Sequence, residues 1–160
     1  MDLLRLDIPW SFVRDRCSLS WSELLFGLDH ALIHSPAAIQ MATDLLATAD
    51  ETDQGVLELA CMTEGDSVRT PVAALADGEP AGSVEQLREK WLYLVLDWIY
   101  QHRHEYPAPL QSVEMVYADF DHPPSIEGFV RYMPSDSPDL GSKEKNEARM
   151  IERWRQFIEA

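Results

Sequence analysis

Cysteine is nearly absent. The two present, Cys17 and Cys61, stand 44 residues apart, which excludes a CxxC zinc or redox site and the dense framework of a secreted disulfide scaffold. Glycine is scarce as well. Gly27, Gly55, Gly65, Gly78, Gly82, Gly128 and Gly141 are scattered singly, so no GxGxxG or GxxxxGK loop exists to cradle a phosphate. There is no GxSxG elbow, and neither cysteine has a histidine beside it, so nucleophilic catalysis has no support in the sequence. Long apolar runs are missing too. A membrane span needs about 18 apolar residues, and the longest approach, Trp91–Tyr100, is interrupted by Asp97.

Basic residues are the remaining shortage. Thirteen Lys and Arg face 28 Asp and Glu, a net charge of −15, and such a field repels nucleic acid and anionic membrane. The excess is uneven: residues 35–82 carry nine acids and one base, residues 109–140 six acids and one base, and the last twenty residues come out at +1. At the N-terminus, Asp2, Arg5 and Asp7 stand where a signal peptide needs an unbroken apolar stretch. These features lead to the expectation of an untargeted cytoplasmic protein whose acidic surface either serves solubility or docks a basic partner.

What is plentiful is helix punctuation. Ser20 and Glu23 form a capping box, with Leu19 and Leu24 spaced as a hydrophobic staple, and Trp21, Leu24, Leu25, Leu28 and Leu32 continue at helical spacing. Ser35–Pro36 and Thr70–Pro71 each read as an N-cap followed by proline at the first helical position. A shorter helix is expected over Gln54–Met62. Ser83 and Gln86 form another box before Leu87–Tyr100, apolar around most of its circumference, which marks a helix buried on several sides. Lys90, Tyr93, Asp97, Gln101 and His104 share its one polar edge. Leu110, Val113, Tyr117 and Phe120 give a further helical stripe, Pro123–Pro124 must break it, and Ile126–Met133 suggests a short element. Residues 135–142 read as a flexible linker, followed by a terminal helix docked through Ile151, Trp154, Phe157 and Ile158. The expected architecture is all-α: one domain over residues 1–160, a compact bundle of about six to seven helices around a central buried helix near 84–104.

Few residues suggest chemistry. His30 and His34 lie four apart, the spacing of two metal ligands on a helix, yet no third ligand can be named, and histidines near a helix C-terminus are accounted for by the helix dipole. His102 and His104 point to different sides of a helix. Asp119 and Asp121 flank Phe120 in a way that presents two carboxylates at a helix end with the ring turned inward, a pattern suited to a divalent ion, to acid–base work or simply to a loop.

The stretch Lys90–Trp98, with Tyr117–Asp121, Phe129–Pro134 and the opening Leu19–Trp21, Phe26 and Gly27, resembles an uncharacterised bacterial family, numbered twenty-two forty-seven among domains of unknown function. The resemblance covers most of the chain, up to about Pro134, and implies no reaction, substrate or catalytic residue. Small acidic proteins of this size and charge are similar in style to immunity proteins that sit beside secreted toxins, an analogy rather than a motif match. The reading is therefore a non-enzymatic protein-binding module without cofactor or metal, with a basic protein partner met through Glu64, Asp66, Asp119 and Asp121. A metal-dependent enzyme using Asp119, Asp121 or the His30–His34 pair is the alternative, and a plain helical scaffold the third.

Overall fold

The computed structural model describes residues 6–48, 53–63, 65–80, 82–134 and 137–160. The fold is all-α: among the described residues there are eight α-helices and no strand. They are α1 (Trp10–Arg14), α2 (Trp21–Asp29), α3 (Ser35–Thr48), α4 (Gln54–Ala60), α5 (Arg69–Asp77), α6 (Val84–Gln101), α7 (Pro109–Asp119) and α8 (Lys143–Glu159), with 3₁₀ turns at Arg103–Glu105 and Pro124–Phe129. No helix of the described residues is long and apolar enough to cross a membrane. The chain groups into two compact units, one ending at Leu87 and the other spanning Arg88–Ala160.

In the first unit α2 packs on α5, α3 on α4, α4 on α5 and α1 on α3. Ile8, Val13, Leu24, Ile33, Ala38, Ala42, Leu59 and Val72 are fully buried. The expected capping box opens α2: Ser20 Oγ accepts from the Glu23 amide at 3.1 Å, and Glu23 Oε1 accepts from the Ser20 amide at 2.8 Å. The helix stops at Asp29, short of Leu32, because Ala31 turns left-handed (φ 55°). Its amide bonds Leu28 O and the Leu32 amide bonds Gly27 O at 2.9 Å, closing the helix in a Schellman turn that usually recruits glycine. An L-residue there costs about 1 kcal/mol. Ala31→Gly is accordingly expected to raise the unfolding free energy by about 0.5–1 kcal/mol in a urea titration.

Thr70 does not cap α5 as its pairing with Pro71 suggests. Val68 precedes the helix, and Thr70 and Pro71 both lie within the first turn, where an amide lacks an intrahelical acceptor in any case. One tie in this unit is sensitive to acid. Asp44 Oδ2 accepts from Trp10 Nε1 at 2.7 Å and from Arg14 at 3.1 Å. The Trp10 bond, and after it Arg14, holds the Asp44 carboxyl below its ordinary value of 3.8. A depressed carboxylate contributes stability above its unfolded pKa and loses it as pH falls through the folded one. Asp44→Asn should thus be less stable than the parent at neutral pH, with the difference between the two shrinking as pH falls through and below the ordinary carboxylate range.

In the second unit α6 buries Trp91, Leu92, Leu94, Val95, Leu96 and Ile99, as its circumference predicts, but it also buries Asp97. The polar edge is therefore not wholly water-facing. Asp97 accepts from Gln101 Nε2 at 3.0 Å, one turn on. The 3₁₀ turn at Pro124–Phe129 packs on α7 and α8. Trp154 of α8 is fully buried and donates Nε1–H to Leu96 O at 3.1 Å. Described residues of the segment read as a linker are tied to α8: Asn146 bonds Leu140 and Asp139, and Arg149 bonds Pro138 O at 2.8 Å.

Candidate functional site

Two local devices shape an acidic cleft between α4 and α5. Asp53 caps α4, its Oδ1 accepting from the Gly55 amide at 2.7 Å. A Cβ on Gly55 would stand 3.0 Å from Leu75 Cδ2 and 3.1 Å from that same oxygen, so the absent side chain allows α4 this close approach to α5. After α5, Glu79 returns its carboxylate to the N-terminus of α2. Oε2 accepts from the Trp21 amide at 3.0 Å, and Oε1 from the Ser22 amide and hydroxyl, both at 2.8 Å. Together with the Ser20–Glu23 box, this satisfies every amide that the first turn of α2 leaves open.

Between these elements lies a cleft of about 510 Å³. Trp21, Val56, Pro71, Ala74 and Leu75 supply its apolar surface, and Asp53, Glu58 and Glu79 line it as well, with no Lys, Arg or His among the described lining residues. Glu79 also lines a neighbouring cleft of about 520 Å³, which includes Glu23 and again no cation among its described lining residues. Over residues 6–87 there are 14 acids and three bases. Arg14 pairs with Asp44, Arg69 pairs with Asp29 at 2.8 Å, and Arg16 lies 3.6 Å above the Phe12 ring.

The cleft of about 610 Å³ in the second unit is different in kind. Arg131, Lys143 and Arg149 line it beside Asp139 and Glu147, and Arg131 is already held by Glu114 at 2.7 Å and Glu147 at 3.6 Å. Its charges are compensated locally. Arg149 Nε is buried there without a hydrogen-bond partner among the described residues.

Residues 10–160 match the family model DUF2247, described as an uncharacterized protein conserved in bacteria. The chain belongs to the DUF2247 family. The match takes in all eight helices and the acidic cleft of this DUF2247 protein. No curated protein and no solved structure matches the chain.

The residues singled out from the sequence are spread over the DUF2247 fold. Glu64 lies outside the described residues. Asp66 is exposed and accepts from the Thr63 amide at 2.9 Å and hydroxyl at 3.1 Å, bonds that lower its pKa, the amide foremost. Asp119 ends α7 with only 9% of its surface exposed. Phe120 turns inward, as expected, and Asp121 is exposed in left-handed backbone (φ 62°). The Asp121 amide bonds Ala118 O and the His122 amide bonds Tyr117 O at 2.8 Å, so this stretch closes α7 as a Schellman turn. Neither Asp66, Asp119 nor Asp121 lines the acidic cleft.

His30 and His34 do not share a helix. The left-handed Ala31 separates them: His30 caps α2 and packs its ring on Phe26, while His34 Nε2 lies 2.6 Å from Leu6 O. Among the described residues no three His, Cys, Asp or Glu side chains gather as a metal site. The cleft carboxylates themselves escaped residue-by-residue reading. Asp53, Glu58 and Glu79 all fall in the acidic stretch 35–82, and that regional charge was the available signal.

Proposed function

We propose that this DUF2247 protein is an acidic protein-binding module whose partner is a basic protein, in the manner of an immunity protein neutralising a basic toxin in the cytoplasm. The observation that carries the reading is the α4–α5 cleft, where apolar surface and three carboxylates meet with no cation among the described lining residues. Like charges gathered on one face raise the encounter rate with an oppositely charged protein and set its orientation. Apolar contact then slows dissociation. No cofactor enters this account.

The test is capture of a partner from native lysate by the immobilised full chain at low and at high salt. The expected result is one basic protein, retained at about 50 mM salt and released at several hundred millimolar, because surface charge attraction is screened over about 10 Å at 0.1 M. Capture of no specific protein at either salt would remove the reading.

A further inference from the structure

We draw no further inference here: the strongest candidate, the cleft beside the start of α8 lined by Arg131, Lys143 and Arg149, carries nothing, because Arg131 and Lys143 are already paired with Glu114 and Glu147 and Arg149, whose Nε lacks a partner, is only part-buried and bonds Pro138 O, so that nothing there points to a ligand.

Discussion

Trp154→Ala is expected to lower the unfolding free energy by about 3–5 kcal/mol, the range for deleting a fully buried large aromatic side chain. Trp154 has no exposed surface. Its ring lies parallel to Phe129 at 6.4 Å and meets Tyr100 edge-on at 5.3 Å, and its indole N–H is spent on Leu96 O. Truncation removes the packing that holds α8 to α6 and to the 3₁₀ turn at Pro124–Phe129. Trp154→Phe keeps much of the volume and should cost less than half as much. Urea titrations followed by circular dichroism measure both, and a loss under about 1 kcal/mol for the alanine variant would show that α8 contributes little to this unit.

The next largest effect belongs to a residue near the surface. Glu79→Ala should cost about 2–3 kcal/mol, because three donors at the start of α2 lose one charged acceptor at once. The loss exceeds that of an ordinary surface ion pair, since the carboxylate also faces the positive end of a helix dipole. Glu79→Gln retains an acceptor oxygen but not the charge, and about 1 kcal/mol is expected. Equal stability of the parent and the alanine variant would mean that water replaces these bonds without penalty.

These two residues illustrate what the sequence discloses. The aromatic stripe of α8 reads directly as a docked face, because helical period and burial are both local properties of sixteen or so residues. The capping box of α2 reads equally well, its partners lying three apart. Glu79 is different: its role as a second cap depends on α5 returning the chain to a helix that began 58 residues earlier, and no spacing rule encodes that. The same limit hid the cleft. It exists because Gly55 lets α4 approach Leu75, a tertiary fact, whereas the net charge of residues 35–82 was legible at once.

Local signals also misled where the backbone departed from its usual choices. His30 and His34 have ligand spacing only if the helix continues, and a non-glycine left-handed residue at Ala31 ends it. The Asp119–Asp121 pair is likewise divided by geometry, one side chain buried at the end of α7 and the other exposed in its closing turn. Asp97 sits on a polar edge by periodicity, yet the fold buries it with Gln101 as a neighbour. In each case a closing turn or a burial that residue spacing does not encode sets the surroundings of the side chain.

The central claim is that a basic partner docks at the acidic cleft of residues 6–87 rather than responding to net charge alone. Calorimetric titration of the captured partner into the parent, Glu58→Lys and Glu144→Lys tests it most directly, since both substitutions change the total charge by the same amount and both positions are exposed. The account predicts at least a tenfold loss of affinity, about 1.4 kcal/mol, for Glu58→Lys, and less than a twofold change for Glu144→Lys on α8. Equal losses in the two variants, or none in either, would contradict it.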